Sequence, residues 1–283
     1  MSLIVDEHQE YLADAARIGA FRRALGKTIR PGDVVVDVGA GTAILGMLAC
    51  EAGASRVYSI DDGSIVELAR ELVRANRFDD RQTVIKGLST RVSLPERADV
   101  VVADQIGRFG FEAGVLEYFA DARERLLKPG ARAMPSAISL VVALVEHPAT
   151  WRRVAFWGKR PAGLAFEPAH RIAENTGYPT HLQPRDLLGK PVIGATLDTL
   201  THGTGPIRIE KTLRATRNGT LHGIGGWFSA RLAPGVELTN SPLSRERIRR
   251  RNVVLPIARP VKLARGDRVK VSMTILPKDT MVS

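Results

Sequence analysis

One cysteine in 283 residues, Cys50, leaves nothing for an internal disulfide and nothing for a cysteine-built zinc site, so no metal is expected. Long apolar runs are also missing. The longest, AISLVVALV at 137–145, is far too short to span a bilayer. The start, MSLIVDEHQEYL, lacks a basic segment followed by an apolar one, and the expectation is a cytoplasmic protein with no membrane partner. Aromatic residues make up only 5%, and none interleave the basic run RERIRRR at 245–251, which argues against a stacking surface for nucleic acid. Acidic residues are the minority sign, 30 against 41 Lys and Arg, a net charge of +11. The excess is spread along the chain. Its densest run, 245–251, reads either as a solvated face or as a docking patch for an acidic substrate.

What is present is ordinary for a folded protein: 44% hydrophobic and 25% charged residues, in a length that suits two domains. From Asp33 to about Pro135, apolar strand-like runs alternate with amphipathic helical ones, the pattern of a parallel sheet with crossover helices on both faces. The stretch EAGVLEYFADARERLL reads as a helix opened by Glu112. After Pro135, strands separated by Gly, Pro and Asn turns suggest a mainly antiparallel, barrel-like β domain. Asn218-Gly219, between two such runs, is a strong hairpin signal. The expected division is 1–135 for a cofactor-binding domain and 136–283 for a β domain carrying substrate. An excursion at about 151–191 holds Trp151, Phe156, Trp157, Phe166 and Tyr178. It reads as a dimerisation arm or as a small local core under a long loop. At the end of the chain, Thr280 to Val282 reads as the start of a last strand after a Lys278-Asp279 turn.

The stretch DVVVDVGAGTAILGMLACEAGASRVYSID, 33–61, is a strand, a glycine turn, a helix and a second strand ending in a carboxylate. Dinucleotide sites place a third glycine where Ile44 stands, and no Gly-Lys-Ser/Thr follows to make a phosphate loop. Asp37 closes the first strand, Gly39 and Gly41 make the turn, and Asp61 ends the second strand. These features suit S-adenosylmethionine, which has no phosphates but has a ribose with two hydroxyls for Asp61 to accept from. Capping of the next helix, in competition with Asp62 and Ser64, is the other reading of Asp61. Asp104, ending the fourth strand at the crevice of an open α/β sheet, is the candidate for orienting a nucleophile. It could instead cap its loop, and Glu112 could owe its place to a helix dipole. Cys50, on the apolar side of a helix, reads as a buried spectator.

The blocks HQEYLADAARIGAFRRAL, VVVDVGAGTAILGMLACEAGASRVYSID, VIKG and ADVVVADQIGRFGFEAGVLEYFADARERLLKPGARAMPS resemble the protein arginine methyltransferases in order and spacing, from about His8 to Pro135. The resemblance implies a Rossmann-like methyltransferase domain followed by a β-barrel-like domain with a dimerisation arm, and a homodimer. It implies that Asp37, Gly39 and Gly41 line the methionine portion of S-adenosylmethionine and that Asp61 takes the ribose. Gly87, Leu88 and Ser89 would border the adenine, with His8 and Arg17 closing over the cofactor from an N-terminal helix. Arg17 has an independent rationale as a two-point partner for a carboxylate, or it lies on a solvated helix face. Two elements depart from the family. Of its paired glutamates, the first position is Asp104, while the second falls on Ala113 with Glu112 one residue early. Its Thr-His-Trp element is replaced by Ile248, Arg249 and Arg250. The expected activity is methyl transfer to a nitrogen or oxygen, with Asp104 and Glu112 as catalytic candidates. The acceptor is expected to be a metabolite or protein group other than an ordinary arginine. True arginine methylation, or a non-catalytic cofactor-binding role, are the alternatives.

Overall fold

The computed structural model describes residues 2–277, so the strand expected at Thr280 to Val282 lies outside the described residues. Strands β1 (Val34–Val38), β2 (Arg56–Asp61), β3 (Gln82–Lys86), β4 (Ala98–Ala103) and β5 (Leu127–Met134) form one parallel sheet in the order β3-β2-β1-β4-β5. Helices on both faces cover β1, which is buried at every position, and this is why VVVDV reads as a continuous apolar run with one acid in it. The chain leaves β1 toward β2 on one side and reaches β4 on the other. A crevice therefore opens beyond the carboxyl ends of β1 and β4.

Helices α1 (Ser2–Leu12) and α2 (Ala15–Thr28) precede the sheet, and α3 (Ile44–Glu51), α4 (Val66–Ala75) and α5 (Val115–Arg125) follow β1, β2 and β4. In α2 the buried residues are Arg17, Ala20, Phe21, Ala24 and Leu25, one helical stripe, so Arg17 points inward with the apolar side chains rather than lying on a solvated face. Asp14 caps this helix, accepting a hydrogen bond from the Arg17 backbone N–H at 3.2 Å. Cys50 is buried in α3, and burial pushes its thiol up to about 11, which keeps it protonated and inert.

The antiparallel part begins after Pro135 and Ser136, the two residues that follow β5. Strands β6 (Ala137–Val145), β7 (Tyr178–Thr180), β8 (Val192–Asp198), β9 (Ile207–Arg214), β10 (Gly219–Ala233), β11 (Val236–Thr239), β12 (Asn252–Leu263) and β13 (Arg268–Ile275) belong to it. The larger sheet runs β7-β12-β10-β6-β8 with β11 on β10, and β9 pairs with β13. The hairpin expected at Asn218-Gly219 is therefore corrected, because the strands on either side of it do not pair with each other. Asn218 instead accepts a hydrogen bond from the Arg265 backbone N–H at 2.7 Å, holding the β12–β13 turn. Between β6 and β8, α6 (Pro148–Ala155) and α7 (Glu167–Glu174) pack Val154, Ala173, Tyr178 and Trp157 into a small core of their own.

A single hydrophobic core runs from α2 and the parallel sheet into β6 and β10, so both parts share one interior. The loop between β4 and α5 is pressed onto the β domain. A side chain at Gly110, whose φ is +112°, would strike Leu140 at 2.6 Å. Two buried asparagines tie the same region together. Asn240 Oδ1 accepts from the Phe228 N–H at 3.0 Å, and its Nδ2 donates to the carbonyls of Arg108 and Arg251, both at 2.8 Å. Asn252 donates to the Asn240 carbonyl at 2.6 Å and accepts from the Leu182 N–H at 3.0 Å. The β4–α5 loop and the 245–251 run are thus held in a fixed relation.

Candidate active site

The turn after β1 depends on glycine for steric reasons. Gly39 and Gly41 have φ of +67° and +54°. A side chain at Gly39 would collide with the Gln105 amide, and one at Gly41 would meet the His8 ring at 2.7 Å. The Gly39 and Ala40 N–H groups donate to the Ile60 carbonyl at 2.9 and 3.0 Å, which fixes the turn against β2. Ile44 faces the crevice from the position that a third glycine takes in a dinucleotide fold.

Asp61 accepts from the Gly41 N–H at 2.8 Å and from the Gly63 N–H at 2.8 Å, one backbone donor on each carboxylate oxygen. Each oxygen keeps a second lone pair, and Asp61 lines the cavity, so two hydroxyl groups can be accepted there. Helix α4 starts at Val66 with no side-chain cap, which removes the helix-capping alternative.

Asp104 sits between two guanidinium groups. Arg17 Nε donates to its Oδ2 at 2.5 Å, while Arg250 donates through Nη2 to Oδ2 at 2.9 Å and through Nη1 to Oδ1 at 3.2 Å. Burial alone would raise the Asp104 pKa, but the charges and hydrogen bonds of Arg250 and Arg17 hold it below the usual carboxylate range. The two arginines come from opposite ends of the chain, one on α2 and one just before β12. Arg250 also lies 5.8 Å from the Phe228 ring centroid.

Glu112 corrects the expected helix: it lies in the loop, and α5 begins at Val115 after a left-handed Gly114. Its carboxylate accepts from the N–H groups of Phe109 at 2.9 Å, Gly110 at 3.1 Å and Phe111 at 3.3 Å. Folding the loop over its own acid cannot be read from spacing.

A cavity of about 350 Å³ brings together His8, Arg17, Gly39, Gly41, Asp61, Asp104 and Glu112. Asp37, Gly87, Leu88 and Ser89 are not in its wall. Asp37 is fully buried beneath the turn, where Oδ2 accepts from the Gly46 N–H at 3.1 Å and the Ser59 hydroxyl at 3.2 Å. Gly87 donates its N–H to the Asp61 carbonyl at 2.9 Å. Leu88 is exposed at 37%, and the Ser89 side chain is buried. Sequence reasoning missed the pairing of Arg250 with Asp104, the placement of Gln105 over Gly39, and the Asn240 clamp. A run of arginines carries no signal for which one turns inward.

The chemistry of this cradle fits S-adenosylmethionine: bare backbone at the turn, a carboxylate with free lone pairs for ribose hydroxyls, and a guanidinium on Arg17 with donors to spare for a carboxylate. With no phosphate-binding loop in the crevice, fold and site define the class, an S-adenosylmethionine-dependent methyltransferase. Residues 22–140 match the family model for ribosomal protein L11 methyltransferase (PrmA). The chain is 30% identical over 234 residues to protein arginine N-methyltransferase 1 of Dictyostelium discoideum, spanning 81% of this chain and 68% of that protein. It is 29% identical to protein arginine N-methyltransferase 6 of Xenopus tropicalis, over 97% of this chain and 85% of that one. Among solved structures, the Trypanosoma brucei PRMT1 enzyme–prozyme heterotetrameric complex with AdoHcy aligns with a TM-score of 0.84 at 25% identity, covering 93% of this chain and 85% of that chain. The chain belongs to the protein arginine N-methyltransferase family.

Charge-assisted hydrogen bonds are worth about 1.5–3 kcal/mol each. Asp61→Ala is therefore expected to weaken S-adenosylmethionine binding by at least roughly tenfold in calorimetry, and unchanged affinity would remove Asp61 from the site.

Asp37 generates a pH prediction. Burial pushes its carboxyl from 3.8 up to about 7, against the lowering by the Gly46 N–H and the Ser59 hydroxyl. The folded protein keeps this proton where the unfolded chain has lost it. The contribution is thus fully present below the unfolded value and is lost as pH rises through about 7. One pKa unit corresponds to roughly 1.4 kcal/mol. Wild type should lose stability relative to Asp37→Asn as pH rises from about 4 to about 7 in urea unfolding, with little further change above. Parallel profiles for the two proteins would contradict the assignment.

Proposed function

We propose that the acceptor is the guanidinium of a protein arginine side chain, seated on Asp104 at the end of β4. The observation that carries this reading is the two-point grip of Asp104 on Arg250, at 2.9 and 3.2 Å, because a carboxylate that holds one guanidinium fork fits another. The names of the relatives point the same way, and the expectation of a non-arginine acceptor finds no support among them. That expectation rested on the shorter Asp104 side chain and on the second acid standing at Glu112 rather than at position 113.

S-adenosylmethionine, when bound, supplies a methyl group on a positively charged sulfur. The chain's own residues then divide the work. Asp104, held ionised by its neighbours, is a weak proton acceptor near neutral pH; its contribution is to orient the guanidinium and to match its charge. Arg17 fixes one oxygen of Asp104, and Glu112 fixes the loop that carries it. In this reading 1–135 hold the cofactor, 136–283 present the acceptor, and the arm at about 151–191 packs on a second copy to make a homodimer. The dimer is supported by Phe156, Leu164 and Ile172, which are 50%, 63% and 69% exposed on the arm.

Label transfer from radioactive methyl donor to peptide arginine tests the acceptor. Asp104→Asn should lower turnover by a factor of roughly 10²–10³, the worth of one positioned electrostatic partner, with thermal melting to confirm the fold; turnover close to wild type would remove Asp104 from the mechanism. Light scattering is expected to give twice the chain mass at micromolar concentration and a single chain mass for Phe156→Asp with Ile172→Asp. A monomeric wild type would sink the arm's role.

A further inference from the structure

Arg250 stands between two cavities. On one side is the cofactor crevice, and on the other a second cavity of about 640 Å³ whose wall holds six arginines (17, 108, 247, 249, 250 and 251) against two carboxylates, Glu10 and Asp14. Both oxygens of Asp14 are already engaged, by the N–H groups of Arg17 at 3.2 Å and Arg249 at 2.7 Å. Arg108, Arg249 and Arg251 are exposed, and among the described residues none of them forms an ion pair with a carboxylate. The approach to Asp104 on this side is strongly positive.

The seat itself carries one negative charge between two positive ones. Both oxygens of that carboxylate are already taken, Oδ2 by Arg17 and Arg250 and Oδ1 by Arg250, and a third guanidinium there would face like-charge repulsion at short range. Glu112 adds negative charge beside Arg250 but binds neither guanidinium, because three backbone N–H groups hold it in the loop, and so it frees no oxygen of Asp104. The Arg250 side chain must therefore leave Asp104 before an acceptor guanidinium takes its place, and its charge must find a new partner.

Resting on the arginine-acceptor reading above, we infer that Arg250 is an internal occupant of the acceptor seat, and that the acceptor is an arginine flanked by acidic residues, whose carboxylates receive Arg250 and its neighbours in the basic cavity. The acidic flanks do two things at once. They offset the positive field over the entrance, and they give the displaced Arg250 an ion pair to replace the one it loses. A glycine- and arginine-rich segment offers neither, adding positive charge to a positive cavity.

The test uses the full chain and two fluorescent peptides of equal length with one central arginine, one flanked by Asp and Glu, the other by Gly and Arg. Anisotropy without methyl donor should show the acidic peptide binding at least tenfold more tightly, with the advantage falling as salt rises. Label transfer should follow the same order. Arg250→Ala should raise binding and methylation of the glycine- and arginine-rich peptide severalfold or more. Arg249→Ala with Arg251→Ala changes only exposed side chains and should weaken the acidic peptide by about tenfold, whether or not the Arg250 variant folds. Equal or better use of the glycine- and arginine-rich peptide by wild type would overturn the inference and leave arginine methylation standing. Methylation of neither peptide, with S-adenosylmethionine binding confirmed by calorimetry, would overturn the acceptor reading and the inference together. An Arg250→Ala protein that folds and gains nothing on the glycine- and arginine-rich peptide would overturn the internal-occupant role.

Discussion

The carboxylate of Asp104, shared between Arg17 and Arg250, is the interaction on which the arrangement of this protein turns. It joins a helix near the start of the chain, the end of a central strand of the parallel sheet, and the entry to β12 in the antiparallel part. Such a triad is costly to bury, since three charges leave water for one net positive charge, and a buried ion pair is weak evidence for stability. What it secures is placement. The guanidinium of Arg17 is held where a carboxylate-bearing ligand can meet it, and Asp104 is held ionised in a site where burial alone would favour the proton.

Around this triad the structure removes freedom of movement. Asn240 and Asn252 satisfy backbone groups from the β4–α5 loop, the 245–251 run and β10 in one buried network, so these segments cannot shift independently without leaving polar groups unpaired. Glu112 does the same within the loop by collecting three backbone N–H groups. Gly110 lets the loop lie against Leu140 and Ile138. The sheet end and the β domain thereby act as one rigid frame, consistent with the single core that they share.

The two carboxylates at the neighbouring strand ends show how position sets role. Asp61 ends β2, whereas Asp37, expected to close β1, lies one residue inside it, before Val38; both stand beside the glycine turn. Asp37 lies beneath the turn with a raised pKa and braces α3 through Gly46, while Asp61 is in the cavity wall and braces the turn through Gly41. The chemistry of the side chain is the same in both. Each accepts two hydrogen bonds from the protein, and solvent access separates the bracing group from the ligand-facing one.

Local pattern alone determined the parallel sheet, the glycine turn, the carboxylate at the end of β2 and the change of texture after Pro135, because each depends on residue types a few positions apart. The burial of Arg17 was also within reach, since it shares the stripe of Ala20, Phe21, Ala24 and Leu25. Other features depended on segments far apart in the chain. Strand β9 takes β13 as its partner rather than the strand beyond Asn218-Gly219, and Glu112 leaves the helix to fold the loop around itself. Arg250 alone of its run turns onto Asp104, 146 residues away. A turn signal or a helical period measures only local preference. Which strand pairs, and which arginine finds an acid, is decided by the free energy of contacts that exist only once the two sheets have closed on their common core.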